Sequence, residues 1–502
     1  MSVSTENVPP IDIAKPQATF FETLFNHPAG FWFIFWGELA ERCSYYGMMS
    51  ILARFISDSQ GLSLGDAAGN TWVSFFKAAC YFLPLAGGIL ADQFLGKYRL
   101  IVIFSIPYIL GHVILANETY WWTIAALALL AMGSGVIKPN ISTLMGMTYD
   151  QKRPGNEQLR SMAFGMFYMA INIGAAISYA VLPMIRDQHG YSIAFLCPAV
   201  LMAISFVIFA VGKPFYAVEK IETKPSTPKE SAEKWATLLR VSGLFLVVTF
   251  FWAVFDQSHT TWVYFARDFM VLNLFGQEFS PEQFGTLNPI LIVIFVPLLQ
   301  VFWNVLDRFA GIRVRPTDKM MIGFVLTALT MGVLAVAGYM CGPYTEVIEK
   351  GVTRRVVEES SKVTIWWEVL AFVLLTIAEV LISVTGLELA FVIAPKSMTS
   401  FVTGMWLLTV GLANLFINAP VGRLYAHMSP GSYFALLAGM MLAVMFAFFF
   451  VAQRFNRKTP MIDGFDDDKG RDGTGNGPPA SKEGIVDKSR QEGIVDPNKP
   501  AS

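Results

Sequence analysis

Apolar residues run in long blocks along the chain, separated by short polar stretches. A helix needs about 20 mostly apolar residues to cross the hydrocarbon core of a bilayer. Twelve blocks reach that length, near 31–57, 70–93, 98–116, 120–147, 161–185, 192–212, 241–269, 286–306, 317–341, 366–394, 399–421 and 430–454. Each predicts a membrane-crossing helix. Buried helices of a water-soluble fold would not repeat so often at full membrane length.

The polar stretches order these blocks. Residues 1–28 form a polar N-terminal segment with Pro9, Pro10 and Pro16, unlike a cleaved signal peptide. Six blocks fill 29–212 and six fill 241–455. Between them, 213–240 reads as a basic linker with a surface helix over 229–240. Residues 456–502 are rich in Gly, Pro, Asp and Lys and repeat "EGIVD" at 483–487 and 492–496. They read as a disordered tail.

Lys97 and Arg99 follow the second block, and Lys152, Arg153 and Arg160 the fourth. Lys213, Lys220, Lys224, Lys229, Lys234 and Arg240 follow the sixth. Arg308, Arg313, Arg315 and Lys319 follow the eighth, and Lys396 the tenth. Positive charge marks the cytoplasmic side, so both termini are expected there. The opposite loops are mostly poor in Lys and Arg. The exception is 342–364, which mixes Lys350, Arg354, Arg355 and Lys362 with Glu346, Glu349, Glu358 and Glu359. The expected fold is an all-α membrane protein of 12 transmembrane helices in two six-helix bundles, with a solute pathway between them.

Composition narrows the function classes. The 502 residues are 54% hydrophobic and 15% charged, with a net charge of −1, so no basic field argues for nucleic acid. Cys43, Cys80, Cys197 and Cys341 suggest neither a disulfide framework nor a metal site. No GxxxxGK[ST] loop occurs, and no nucleophile–base spacing supports an enzyme. No cofactor is expected.

The candidate chemistry lies in charges placed inside the apolar blocks. Such groups are costly at membrane depth and usually face a cavity. In "GELAERCSYYGMM" (37–49), Glu38, Glu41, Arg42 and Tyr45 form one helical stripe. Arg42 neutralises one carboxylate, and the other needs a second cation or a proton. A proton site and a static ion-pair knot both fit the stripe alone. Further charges favour the proton site: Lys138 in the fourth block, Glu379 in the tenth, Asp256 with Gln257 in the seventh, and Lys77 on one face with Tyr81 in the second. His259 is a further pocket candidate, with a polar lining role as its blander reading. Trp252, Trp262 and Trp406 read as pocket walls or as packing. Arg267 and Asp268 read as a gate pair or as hydrated ends. Glu388, on the opposite helix face from Glu379, reads as structural.

The fragment "GELAERCSYYG" resembles the ExxERFxYYG motif of the proton-dependent oligopeptide transporters, a branch of the major facilitator superfamily. "GGILADQFLGKYRLI" (87–101) and "FGMFYMAINIGA" (164–175) resemble that family's two signatures. "GVIKPN", "TLNPIL", "PTDKMMIGFVL", "AEVLISVTGLELAF", "APKSM" and "MWLLTVGLANL" resemble further family blocks in order, so the likeness spans about 25–455. The resemblance implies proton-driven import of di- and tripeptides across the plasma (inner) membrane by alternating access. It implies proton coupling by Glu38, Glu41, Arg42 and Lys138. It implies substrate binding by Tyr45, Tyr81, Lys138, Tyr168, Asn172, Asn288, Glu379, Ser383 and Trp406. Three departures stand out. Cys43 replaces a phenylalanine. Ser74 stands where mammalian members carry a histidine. Met49 stands where many members carry an arginine that helps hold the substrate carboxylate. Lys77 is the expected replacement for that cation. Met49 also keeps open a carrier of nitrate or an organic acid. A peptide-binding receptor without net transport is the remaining alternative.

Overall fold

Apolar blocks become helices because a backbone in lipid must satisfy its own hydrogen bonds. The first part of the chain folds as α1 (Ala29–Ser57), α2 (Asp66–Leu90), α3 (Lys97–Leu115), α4 (Tyr120–Lys152) and α5 (Glu157–Val211). There follow α6 (Pro228–Phe255), α7 (Thr261–Phe269), α8 (Leu287–Ala310), α9 (Pro316–Met340) and α10 (Trp366–Glu379). The last are α11 (Thr399–Leu412), the short α12 (Ala419–Arg423) and α13 (Pro430–Lys458). This is a computed structural model, and it describes residues 26–219, 227–311, 314–387, 389 and 399–458. Lys220, Lys224, Arg313, Glu388, Lys396, the "APKSM" block, residues 1–25 and the "EGIVD" repeats lie outside the described residues. Residues up to Gln453 form one unit; the described part of the second, from Arg454, is the end of α13.

Among the described residues, nine helical stretches are long and apolar enough to cross a membrane. One, α5, is 55 residues long but bends at Gly190, whose φ of 83° breaks the helix and suits a residue without a Cβ. The exterior agrees with lipid as the solvent. Ile106, Val200, Phe302 and Phe446 are exposed, while Glu38, Glu41, Arg42 and Lys77 are buried. Trp121, Trp122 and Trp366 are exposed at the starts of α4 and α10, as interfacial tryptophans are.

Three local features differ from the expectation. The seventh block is not one helix. It stops at Phe255, passes through a 3-10 turn over Asp256–His259, and resumes at Thr261. The Ser258 hydroxyl donates to the Phe255 carbonyl at 2.7 Å, the kind of side-chain competition that unsettles a helix. The helix expected over 229–240 is continuous with the seventh block in α6. The architecture is also not purely helical. Strands β1 (Met270–Val271), β2 (Asn273–Leu274), β3 (Gln277–Glu278), β4 (Tyr344–Glu349), β5 (Val352–Val357) and β6 (Val363–Thr364) form small paired sheets. The mixed charges of 342–364 belong to the β4–β5 hairpin, where Glu346 faces Arg355 across the ladder.

Wide π turns follow α10 and α11, over Val380–Val384 and Ala413–Asn418. Such turns often sit at functional sites. The first begins directly after Glu379, and the second carries Asn414 and Asn418.

Candidate functional site: a charged cavity

A cavity of about 560 Å3 opens among these helices, within the range of small-ligand sites, about 300–1,000 Å3. From α1 and α2 it receives Tyr45, Met49, Lys77 and Tyr81, and from α5 Tyr168 and Asn172. The later part of the chain supplies Trp252, Asp256, His259, Asn288, Glu379 and Trp406, with Ser383 from the first π turn. Glu379 is fixed by Asn288, whose amide donates to its Oε2 at 2.8 Å and to Thr376 Oγ1 at 3.2 Å. The Asn172 amide donates to the Tyr168 carbonyl at 2.9 Å.

Lys77 and Asp256 meet inside this cavity. Lys77 Nζ lies 2.7 Å from Asp256 Oδ1 and 3.3 Å from His259 Nδ1. Both partners of the ion pair are buried. The contact is made from the 3-10 turn that separates α6 from α7, where Asp256 is the first residue. The other Asp256 oxygen accepts from the Asn414 amide. Asn418 donates to Asn414 Oδ1 at 3.0 Å, and Gln257 donates to Asn418 Oδ1. Tyr433 and Thr261 both donate to Gln257 Oε1 at 2.8 Å. Gln257 was expected at the cavity wall. It lies behind it instead, because this buried network uses its whole amide.

The four residues expected to couple protons also stand behind the wall. Arg42 Nε lies 3.1 Å from Glu38 Oε1 and also bonds Glu41. Its guanidinium sits over the Tyr45 ring, 5.6 Å from the centroid, and Tyr45 faces the cavity. Lys138 Nζ donates to Tyr81 Oη at 3.3 Å and lies 4.6 Å from that ring's centroid. Among the described residues Lys138 has no ion pair, and Glu38 Oε2, Glu41 Oε1 and Arg42 Nη2 have no hydrogen-bond partner. Arg42 thus bridges two carboxylates while Lys138 pairs with neither, and the rings of Tyr45 and Tyr81 carry these two cations to the cavity wall.

A second charge cluster joins the two parts of the chain at the end of α1. Arg267 bonds Asp58, and pairs with Asp268 at 2.7 Å and Asp66 at 3.0 Å. Arg54 pairs with Asp58 at 2.6 Å and Glu282 at 3.4 Å, and Arg186 also bonds Glu282. Asp268 is buried, so the Arg267–Asp268 pair is not a hydrated helix end. Burial opposes ionisation of Asp58, but Arg267 and Arg54 outweigh it and hold its carboxyl below the usual range. With that sign, the contribution of Asp58 is present above the ordinary carboxylate range and is lost only as pH falls through the lowered value. Asp58 therefore keeps its charge in mildly acidic medium.

Several participants escaped the sequence reading: Tyr46, Tyr179, Glu282 and Glu368 line the cavity, and Asn414 and Asn418 support it. The i, i+4 amide pair in the eleventh block was the readable signal for the last two.

A model described as the POT family (PTR2) matches residues 98–234 and 227–429. The chain belongs to the POT family. Human solute carrier family 15 member 1 is 30% identical over 391 residues, covering 66% of this POT-family chain and 54% of the human protein. The chain thus spans about half the length of that curated relative. Dipeptide and tripeptide permease A of Serratia proteamaculans (strain 568) is 27% identical over 449 residues, covering 79% of this chain and 84% of its own. The in meso crystal structure of the POT family transporter PepTSo aligns with a TM-score of 0.73 at 26% identity, over 86% of this chain and 99% of that one.

Proposed function

We propose that the protein is a proton-coupled symporter that imports di- and tripeptides by alternating access, without a bound cofactor. One observation carries this reading: the cavity sets Glu379, held by Asn288, against cations contributed by the earlier helices, with Lys77 at the wall and Lys138 behind Tyr81. Opposite charges brought to one cavity by different helices suit a zwitterion. Aromatic and apolar walls accept varied side chains, because apolar contact discriminates weakly. The names of the human and Serratia relatives agree with this substrate class.

Twelve crossings fit the helices. The two arms of α5 count separately, and α1 and the α6–α7 pair add to the remaining apolar spans. We place them as two six-helix bundles in the plasma membrane with both termini cytoplasmic, following the basic loops. The Arg267 and Glu282 cluster then closes the outer end.

A proton entering the Glu38–Glu41–Arg42 cluster neutralises its excess carboxylate. Arg42 is then free to shift against Tyr45, and the bundles can rock. Acid outside loads this cluster but leaves Asp58 charged, so its contact with Arg267 survives loading. Substituting Glu282 by Gln leaves Arg186 and Arg54 short of a partner and loosens the outer end. A cysteine placed at Ser50, in the cavity wall, is then modified faster by a membrane-impermeant thiol reagent added outside than in the parent background. An unchanged rate would remove the gate assignment.

The function is tested by uptake of labelled dialanine into proteoliposomes under an imposed pH gradient. Accumulation inhibited by unlabelled dipeptides, and not by nitrate, is the expected result. Met49 at the cavity wall favours the second reading, a carrier of another small anion, and inhibition by nitrate alone would select it.

A further inference from the structure

Four carboxyl groups line the cavity, and three are satisfied: Asp256 by Lys77 and Asn414, Glu282 by Arg186 and Arg54, and Glu379 by Asn288. Glu368 is the fourth. It lies in the first turn of α10 and is 1% exposed. Its Oε2 is buried without a hydrogen-bond partner, and no cation pairs with it among the described residues. A carboxylate in that position is poorly tolerated unless a charge or donor reaches it. The cavity is the route by which one can arrive.

The surroundings say which kind. Glu368, Phe372, Thr376 and Glu379 follow i, i+4, i+8 and i+11, so they share one face of α10. Phe372 lines the cavity beside Glu368 and meets Trp262 edge-on at 5.0 Å. A carboxylate next to an aromatic wall is a receptor for an ammonium or guanidinium group. Eleven residues of helix set Glu368 and Glu379 about 16 Å apart along the axis. Two or three extended peptide residues, at about 3.4 Å each, together with a lysine side chain and the reach of both glutamates, span that gap.

We propose that Glu368 binds the cationic side chain of a Lys- or Arg-containing peptide whose amino terminus is held at Glu379. This rests on the peptide-transport reading and narrows its substrate class. Peptides with neutral side chains offer Glu368 nothing, so for them it is silent.

The test compares trialanine with dialanyl-lysine as ligands of the purified full chain, read by ligand-induced thermal stabilisation and by inhibition of dialanine counterflow. In Glu368→Gln, affinity for dialanyl-lysine falls by about tenfold or more, the worth of a charged hydrogen bond, while trialanine is unaffected. Glu368→Asp, with a shorter carboxylate, falls between. Equal losses for both peptides, or no loss for either, overturn the assignment. So does a variant that keeps peptide selectivity but loses pH-driven uptake, which would make Glu368 a proton site. In those cases trialanine still binds the parent chain and the transport reading stands. Failure of both peptides to bind the parent chain overturns the transport reading, and this inference with it.

Discussion

Glu41→Gln is expected to abolish concentrative uptake and to leave exchange intact. Under a gradient of about one pH unit and about 100 mV, one co-transported proton delivers about 1.4 and 2.3 kcal/mol. At about 1.4 kcal/mol per decade, that is an accumulation of roughly 500-fold. The prediction follows from the charge count around Arg42. Glu38 and Glu41 both contact its Nε, and each keeps one oxygen without a partner. With Gln at 41, Arg42 keeps Glu38 as its one carboxylate, and no carboxyl at 41 is left to take up a proton. The transporter can then rock with peptide aboard but gains nothing from the gradient. Dialanine should equilibrate across the proteoliposome membrane, while counterflow of labelled against unlabelled peptide continues. Full retention of pH-driven accumulation would refute the role of Glu41. Loss of both activities would show instead that the cluster is a static knot.

The helices and the charges were readable from the sequence for different reasons. Membrane helices are set by solvent, so a run such as 430–454 announces itself by apolar length alone. The stripe Glu38–Arg42–Tyr45 was visible because charges are scarce in such runs. Its position one layer behind Tyr45 was not, since that depends on how α1 packs against its neighbours. The break at Asp256–His259 is a similar case: four polar residues in an apolar block signal a site, but not whether the helix survives them. Glu368 was missed because a glutamate beside Trp366 and Trp367 reads as a hydrated helix start. In the fold it is buried, on a helix that packs against α8 and α9. The β4–β5 hairpin escaped because its charged face resembles any polar loop, and Lys77 could be placed on the Tyr81 face without revealing Asp256 opposite.

That last contact carries the second large expectation. Lys77 and Asp256 are buried at 6% and 4% exposure, and their charged atoms are 2.7 Å apart. Removing one partner strands the other charge in a low-dielectric site, at a cost of about 3–5 kcal/mol. Lys77→Met and Asp256→Asn should each lower the unfolding temperature in detergent markedly. The double variant should recover most of the loss, because replacing both charges leaves nothing stranded and Asn at 256 keeps a polar side chain for Asn414. A coupling energy of about 3 kcal/mol would place this pair at the upper end of what contacting residues show. The functional consequence has a separate sign. The pair links α2 to the break after α6, and so spans the two proposed bundles. If the chain carries peptides as proposed, an incoming peptide carboxylate competes with Asp256 for Lys77. In the double variant that competition is gone together with the cation, so peptide affinity falls although stability returns. Single-variant losses that simply add in the double variant would show that the pair is not a unit. Recovered stability with undiminished peptide affinity would confine Lys77 to holding helices together.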